Sequence, residues 1–270
     1  MIKDITKTSL KCVLPLLKTS YPGVSLDDEI EYFPKNDESL GWCYYESNQR
    51  PSSFLRYFIQ GESPKFATFE FVVPKNHIKE FNALSDYCLT RATPLKNIMQ
   101  RFEFSEDQKS FIPNLKKFGF DETVTYLTYE KDLSDGSFNH LIDVAENDFQ
   151  QVNDCLSCFQ IFSTEKLKEL VESRCIHCLK INDDVVSSAW VKFDKDRIEL
   201  LEIATHSDDK KKGYAKKLLK SVEGWGFQQG YKRVLLKVKE GNLPAINLYQ
   251  SLSYTNNINL KEYWVYRNKS

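Results

Sequence analysis

One short segment constrains the fold of this chain more than any other: Lys210–Ala215 (KKKGYA). It lies between a strand-like run, Arg197–Thr205, and a helix-like run, Tyr214–Gln229. Glycine has no Cβ, so the backbone at Gly213 is able to approach a ligand closely. The first free N–H groups of the following helix converge on the same place, and the helix dipole favours an anion there. The segment therefore predicts alternating strands and helices around a pyrophosphate-binding loop.

A second segment, Lys237–Tyr254, makes the interpretation more specific. It reads as the end of a strand, a helix with Pro244 in its first turn, and a turn into another strand. The two segments together resemble the GNAT superfamily of acyl-CoA-dependent N-acyltransferases. In that family a Gln/Arg-x-x-Gly-x-Gly/Ala loop holds the pyrophosphate of coenzyme A, and an Asn-x-x-Ala-x-x-x-Tyr-x-x-x-Gly-Phe element follows the next strand.

The resemblance covers about half of the chain, from about residue 138 to the end. The matching residues are Lys210 in place of Gln/Arg, Gly213, Ala215, Asn242, Ala245 and Tyr249, with Ser253-Tyr254 where Gly-Phe is usual. Lysine keeps the positive charge, and such loops contact pyrophosphate mainly through backbone N–H groups. The resemblance therefore implies acetyl-CoA as the cosubstrate.

It also implies a set of site residues. Coenzyme contacts are expected at a strand bulge formed by Ile203, Ala204 and Thr205. They are also expected in the glycine loop and the start of the next helix, at Lys210, Lys211, Lys212, Gly213, Tyr214 and Ala215, and at Asn242 after the following strand. Tyr249 is implied as the general acid beside the coenzyme sulfur. Glu199 and Glu202 are both candidates for the base that takes a proton from the acceptor ammonium. Because three residues separate them in one strand, they are expected on opposite faces, and the choice stays open.

The pattern of the C-terminal half predicts a mixed α/β fold. Strands are expected at Asn139–Val144, Cys175–Lys180, Val186–Phe193, Arg197–Thr205, Arg233–Lys239 and Tyr263–Arg267, and helices at Asp148–Phe159, Thr164–Glu172, Tyr214–Gln229 and Leu243–Ser251. In the helix after the loop, Ala215, Leu218, Val222 and Trp225 follow helical spacing, which indicates a core face.

The N-terminal half repeats this plan at one constant offset in the numbering: Leu248–Tyr254 falls on Asn114–Phe120, and helix Ala215–Gly226 falls on Phe81–Ala92. The same offset puts Lys79 at the place of Gly213 and Leu115 at the place of Tyr249. We therefore predict two GNAT-like domains, each a mostly antiparallel twisted sheet flanked by helices: a degenerate domain at 1–132 and a catalytic domain at 138–270. The polar stretch Glu130–Phe138 is the expected linker.

Composition favours a cytoplasmic enzyme. A net charge of −1 provides no global attraction to nucleic acid or to an anionic membrane. The sequence shows neither a long apolar run nor, at its N-terminus, the apolar core of a signal peptide. We expect a monomer or homodimer that acts on a small-molecule or peptide amine.

The seven cysteines include two C-x-x-C pairs, Cys155/Cys158 and Cys175/Cys178, whose separation matches a zinc-site spacing. The first pair lies in a helix-like run and the second opens a strand-like run, whereas zinc knuckles place each pair on a tight turn. No metal is therefore predicted. The odd number of cysteines favours buried thiols over a disulfide framework.

The sequence thus predicts an N-acyltransferase that uses acetyl-CoA. Three alternatives stay open: a longer acyl donor, an aminoacyl-tRNA donor as in other tandem proteins of this architecture, and a non-catalytic acyl-CoA-binding sensor or assembly module. The glycine loop favours coenzyme A over tRNA, and Tyr249 favours an enzyme over a sensor. Fold and coenzyme motif do not identify the acceptor.

Overall fold

A computed structural model of the 270-residue chain describes residues 1–20, 25–31, 33, 41–60, 65–92, 95, 98–134, 144–157 and 161–267. Internal contacts divide the chain into two compact units. The first consists of Met1–Gly61, Lys65–Thr125 and Glu262–Ser270, and the second of Glu62–Pro64 and Tyr126–Lys261. No helix in the described part of the chain combines the length and the apolar character needed to cross a membrane.

The first unit is a sheet with helices against it. Its strands are β1 (Ile2–Asp4), β2 (Cys43–Ser47), β3 (Arg50–Gln60), β4 (Phe66–Val72), β5 (Met99–Ser105) and β12 (Glu262–Arg267), and its helices are α1 (Leu10–Ser20), α2 (Leu26–Glu31), α3 (Ile78–Arg91) and α4 (Ile112–Leu115). The strands follow the order β1-β2-β3-β4-β5-β12. β4 and β5 run parallel, whereas the other neighbouring pairs are antiparallel.

The second unit has the same kind of sheet. It contains β6 (Glu122–Asp132) from Tyr126 onward, α5 (Phe149–Leu156), α6 (Thr164–Glu172), β7 (Ile176–Ile181), β8 (Asp184–Asp194), β9 (Arg197–Thr205), α7 (Tyr214–Gln228), β10 (Arg233–Lys239), α8 (Leu243–Ser251) and β11 (Thr255–Asn256). The strand order is β6-β10-β9-β8-β7, with β11 beside β6. Again one pair, β9 and β10, is parallel.

The predicted mixed α/β fold is confirmed, and most predicted elements agree with the structure within a residue or two. Two assignments differ. Glu130–Asp132 of the expected linker belong to strand β6, and the closing strand pairs with β5 of the first unit. The contacts therefore separate the units after Thr125 rather than near residue 132. Of the predicted strand Asn139–Val144, residues 139–143 lie outside the described residues, as do 158–160 at the end of the predicted helix Asp148–Phe159.

The internal repeat is visible in the elements. β3 (Arg50–Gln60) and β8 (Asp184–Asp194) correspond residue for residue, as do the starts of β5 at Met99 and β10 at Arg233. The buried face of α3 is Phe81, Leu84, Ser85 and Cys88, which corresponds to Ala215, Leu218, Leu219 and Val222 of α7. Each unit therefore builds its core on the same strand-helix-strand arrangement.

The connection before the matching helix differs between the units. In the first unit residues 73–77 join β4 to α3, and in the second residues 206–213 join β9 to α7. The parallel registers show the same difference, because Phe66 pairs with Met99 whereas Arg197 pairs with Arg233, after a longer stretch of chain. The glycine loop is thus longer than its counterpart in the first unit.

Candidate active site

Helix α7 begins without a side-chain cap. Its N-cap is Gly213, with φ 80° and ψ 11°, whereas Ser163 caps α6 and Asn242 caps α8 through side-chain oxygens. A Cβ at Gly213 would meet no atom within 4 Å, so the glycine provides a left-handed conformation beside open space. The first N–H groups of α7 are therefore available to an anion, as the sequence predicts.

The three loop lysines are exposed, and they do not act alike. Lys212 forms an ion pair with Asp209 at 2.8 Å between Nζ and Oδ1. Lys211 adopts a left-handed φ of 65°. Lys210 has an extended backbone. The first two residues of α7, Tyr214 and Ala215, are half-buried. The loop thus places positive charge and bare backbone at the start of α7, which suits a phosphate group.

Strands β9 and β10 separate at this end of the sheet. Their parallel pairing runs from Arg197 opposite Arg233 to Leu200 opposite Leu236, although both strands continue further. The next residue, Leu201, is an extra residue in β9, because Trp190 pairs with Glu202 and Val191 pairs with Leu200. Beyond Leu200, the edge of β9 that faced β10 has no strand partner in the described part of the chain. A slot therefore opens between the two strands.

The bulge was predicted at Ile203–Thr205, and this position is wrong. The structure places it at Leu201, and Ile203, Ala204 and Thr205 pair regularly with β8. The pairing with β8 uses one edge of β9 only, so these three residues still lie along the unpaired edge. Their expected contact with the coenzyme stays a prediction.

Tyr249 and Glu202 come together beside this slot. Tyr249 lies in α8, is 6% exposed, and forms no hydrogen bond through its hydroxyl group with the described residues. Burial, and secondly the nearby Glu202 carboxylate, raises the pKa of Tyr249 to about 12. Burial also raises the pKa of Glu202 to about 9. A buried tyrosine normally finds a hydrogen-bond partner, so an unused hydroxyl group fits a residue that contacts a substrate.

Glu199 has different surroundings. It is half-buried and lies opposite Lys192 of β8 and Leu235 of β10, within the part of the sheet where β9 and β10 are still paired. Glu202 instead follows the point of separation and acts electrostatically on Tyr249. The geometry therefore favours Glu202 over Glu199 as the site carboxylate.

The expectation that Glu199 and Glu202 lie on opposite faces is wrong. Glu199 pairs with Lys192 and Glu202 pairs with Trp190, which are alternate residues of β8, so both carboxylates lie on the same face of the sheet. The extra residue Leu201 shifts the alternation of β9 by one residue between them.

Asn242 has a structural role that the sequence analysis did not identify. Its side-chain oxygen accepts a hydrogen bond from the N–H of Ala245 at 3.3 Å and so caps α8. This cap fixes the start of the helix that carries Tyr249. A contact between Asn242 and the coenzyme stays a prediction.

A buried polar network lies next to Tyr249 and was also missed. The ring of Tyr254 is 5.8 Å from that of Tyr249, and its hydroxyl group donates to Glu223 at 2.9 Å. Lys131 donates to the other Glu223 oxygen at 2.6 Å. The sequence signal was Tyr254 in place of the family's phenylalanine, because a buried phenol needs an acceptor. The network ties β6, α7 and the end of α8 together.

The cysteines lie in the elements that the sequence analysis expected: Cys155 is buried in helix α5, Cys178 is buried in strand β7, and Cys175 lies just before β7. Cys158 lies outside the described residues. Burial raises the pKa of Cys178 to about 12, which favours the thiol over the thiolate that zinc requires. Among the described residues, no group of three or more potential metal ligands occurs. The absence of zinc stays a prediction.

In the first unit, aromatic side chains occupy the corresponding place. Phe71 of β4 pairs with Leu55, just as Ile203 of β9 pairs with Ala189, the residue that corresponds to Leu55, so Phe71 is the counterpart of Ile203. Phe81 and Phe111 stand at the positions of Ala215 and Ala245, and both are completely buried. Their rings lie 4.8 Å apart, and each packs against Phe71. The hydrophobic core thus fills this end of the first sheet.

Comparison with known proteins agrees with this geometry. Residues 141–254 match the family described as "Acetyltransferase (GNAT) family". This part of the chain is thus similar in sequence to the GNAT acetyltransferase domain. A search of curated protein sequences finds no relative.

Solved structures show that the GNAT likeness extends over both units. A GCN5-related N-acetyltransferase from Sphaerobacter thermophilus has a TM-score of 0.71 at 10% identity, over 99% of this chain and 95% of that one. A GNAT-family acetyltransferase from Colwellia psychrerythraea has a TM-score of 0.62 at 13% identity, over 100% of both chains. A tandem GNAT protein from the clavulanic acid biosynthesis pathway has a TM-score of 0.60 at 10% identity, over 98% and 97%. The chain thus has the tandem GNAT fold.

Proposed function

We propose that this protein is an N-acyltransferase that transfers acetyl from acetyl-CoA to the primary amine of a small molecule or peptide, using one site in its second unit. The observation that carries the proposal is the slot between β9 and β10, which opens beside the uncapped start of α7. The similarity of residues 141–254 to the GNAT acetyltransferase domain supports the reaction class.

The residues around the slot fit acetyl-CoA. The left-handed Gly213 leaves room for a phosphate group, and the first turn of α7 supplies N–H donors and a favourable dipole. The exposed Lys210 and Lys211 add positive charge. The unpaired edge of β9, including Ile203–Thr205, offers backbone groups to the amide-containing arm of the coenzyme. The coenzyme supplies the activated thioester.

Two side chains have the chemistry that the transfer needs. Glu202 holds a proton near neutral pH in the free protein, because burial raises its pKa to about 9. An acceptor ammonium beside it favours the ionised carboxylate, which then takes the proton that the attacking nitrogen must lose. The Tyr249 hydroxyl group supplies a proton to the departing sulfur. Overall, the nitrogen gains the acyl group as the carbon–sulfur bond breaks, and the sulfur gains a proton.

The proposal includes a cytoplasmic monomer or homodimer with no resident metal. A non-catalytic acyl-CoA sensor is the alternative from another class. It has the same loop but no need for a free Tyr249 hydroxyl group, so turnover separates the two functions. A longer acyl donor is distinguished by the order of kcat/KM along a series of acyl-CoA chain lengths.

The direct test is calorimetric titration with acetyl-CoA, together with release of free thiol in the presence of an amine panel. Gly213→Glu places a carboxylate where we expect the pyrophosphate, so binding is expected to be lost. Lys79→Glu is the matched control, because it makes a larger charge change at the corresponding exposed helix start of the first unit. If the control loses binding and Gly213→Glu retains it, the site is misplaced; if wild type binds no acetyl-CoA, the proposed function is wrong.

A further inference from the structure

Four residues of β8 and β9 form one face of the sheet beside the candidate site. Trp190 lies directly opposite Glu202, and Ser188 lies directly opposite Ala204. Alternate residues of a strand share a face, so we call these four residues the Trp190 face. Because the face includes Glu202, it borders the slot where that carboxylate acts on Tyr249.

An aromatic ring covers part of the Trp190 face. Phe162 packs edge-on against Trp190, with ring centroids 5.0 Å apart and an interplanar angle of 85°. The side chain of Asn153 in α5 binds both the N–H and the carbonyl oxygen of Phe162, at 3.0 and 2.9 Å. Phe162 is therefore held in place before any ligand arrives, and the two rings are a preformed apolar wall.

The polar groups of the same face are buried. Glu202 is 6% exposed and Ser188 is 0% exposed. The Ser188 hydroxyl group forms no hydrogen bond of normal geometry within the described part of the chain, and its polar neighbour is the thiol of Cys155, a weak acceptor. Trp190 and Ala204 are only half-buried, so the face is reachable from solvent at these two residues.

We propose that the Trp190 face is the acceptor subsite and that the acceptor is a compact primary monoamine with an apolar, preferably aromatic, body. The inference rests on the proposed function. The ammonium lies at Glu202, and the apolar body lies against Trp190 and Phe162. Polyamines and peptides carry further charged or amide groups, and an apolar wall leaves those groups without partners.

The test compares phenethylamine with spermidine and with a lysine-containing tetrapeptide. Wild-type kcat/KM is expected to be at least about tenfold higher for phenethylamine. Trp190→Leu is expected to raise KM for phenethylamine by about tenfold or more, since the ring that contacts the acceptor is lost. Ser188→Ala is expected to leave KM for phenethylamine nearly unchanged, because Ser188 is completely buried beside Cys155 and phenethylamine has no second polar group for it to bind.

Phe193→Leu is the matched control, because Phe193 is another half-buried aromatic of β8 that packs instead against Trp225 and Tyr231. It should leave KM unchanged, and thermal unfolding should show that both leucine variants are folded. A second readout without turnover is calorimetric titration of phenethylamine into protein saturated with coenzyme A, where Trp190→Leu should weaken binding and Phe193→Leu should not.

The outcomes separate the two proposals. If acetyl-CoA binds but spermidine or the peptide is the better acceptor, the function stands and the inference is overturned. The inference is also overturned if phenethylamine fails to bind the coenzyme-saturated protein, or if Trp190→Leu and Phe193→Leu behave alike. Only the absence of acetyl-CoA binding removes both.

Discussion

At the scale of single residues, the Tyr249 hydroxyl group is the most informative group in the candidate site. Tyr249→Phe keeps the buried ring and removes only the proton donor. We expect turnover to fall by at least about tenfold, as general acid catalysis is worth roughly a hundredfold or more, with the affinity for acetyl-CoA nearly unchanged. Steady-state kinetics and calorimetric titration measure the two quantities.

The matched control is Tyr129→Phe. The Tyr129 ring lies 6.3 Å from that of Tyr249, and its hydroxyl group accepts a hydrogen bond from Gln250 at 3.5 Å. Its loss should reduce stability by about 1 kcal/mol or less and leave turnover intact. If Tyr249→Phe retains full turnover while chemistry is rate-limiting, the tyrosine is a packing residue.

Glu202 has a consequence for stability that depends on pH. The folded protein holds a proton on this carboxyl group up to about pH 9, whereas an unfolded glutamate releases it near pH 4.5. Stability from this group therefore falls as the pH rises through that interval. Glu202→Gln has no carboxyl group to ionise, so its free energy of unfolding does not fall in this way. The difference in free energy of unfolding between Glu202→Gln and wild type should therefore shift in favour of the variant by up to about 1 kcal/mol per pH unit. Urea unfolding at pH 5 and pH 8 measures it; an advantage that does not change with pH contradicts the raised pKa.

At the scale of elements, the turn after α8 requires a left-handed residue, and the two units place different residue types there. Ser253 has φ 66°, and Gly119, at the corresponding position of the first unit, has φ 80°. A left-handed conformation costs a non-glycine residue roughly 1–2 kcal/mol, and a glycine loses roughly 0.5–1 kcal/mol more chain entropy on folding. Ser253→Gly is therefore expected to stabilise the protein by about 0.5–1 kcal/mol in urea unfolding.

Gly119→Ser is the reciprocal control and should destabilise by a similar amount. A Cβ at Gly119 would lie 3.4 Å from Cδ of Arg267, which is an ordinary contact, so conformation rather than a clash decides the result. If both substitutions change stability in the same direction, the equivalence of the two turns is wrong.

The local elements were predictable because their signals are local. Hydrophobic spacing in α7 and the apolar run of β9 identified both elements, and Gly213 marked the uncapped helix start. The partner of the closing strand was not predictable, since Glu262–Arg267 pairs with β5 in the other half of the sequence, and no short-range pattern encodes that pairing. The bulge at Leu201 was missed for a related reason: it is defined by the register of β8 against β9, which depends on both strands.

Site residues divide in the same way. The loop lysines and Tyr249 could be proposed from the sequence because they stand at fixed offsets in one stretch of chain. Trp190 and Ser188 could not, because they join Glu202 only through cross-strand pairing. The spacing of Glu199 and Glu202 predicted opposite faces, which is wrong because the extra residue Leu201 brings both to one face. The choice between them was left open, and the separation of β9 from β10 after Leu200 favours Glu202.

At the scale of the whole molecule, the two units share one order of strands and helices, but different side chains pack at the end of the sheet where the candidate site lies. Phe81 and Phe111 occupy the positions where the second unit has alanines, and the loop before α3 is shorter than the glycine loop. The first turn of α3 carries Glu80, whose carboxylate accepts hydrogen bonds from Ser53 and His77. Burial raises the pKa of Glu80, but these hydrogen bonds and that of Ser52 outweigh burial and lower it. A negative charge thus stands where an anion would have to bind.

These features predict one acetyl-CoA site per chain. Calorimetric titration should saturate at one equivalent, and hydrogen exchange should show which unit is protected. Bound acetyl-CoA is expected to slow amide exchange at residues 203–216 and to leave residues 73–82 unchanged, because N–H groups that bind phosphate no longer exchange with water.

Phe111→Ala opens space in the first unit and should lower the free energy of unfolding of the protein by roughly 3–5 kcal/mol. It should not add a second acetyl-CoA site, since Glu80 and the short loop remain. Two equivalents per chain, or protection in both regions, would contradict the view that the first unit has become a packed structural copy.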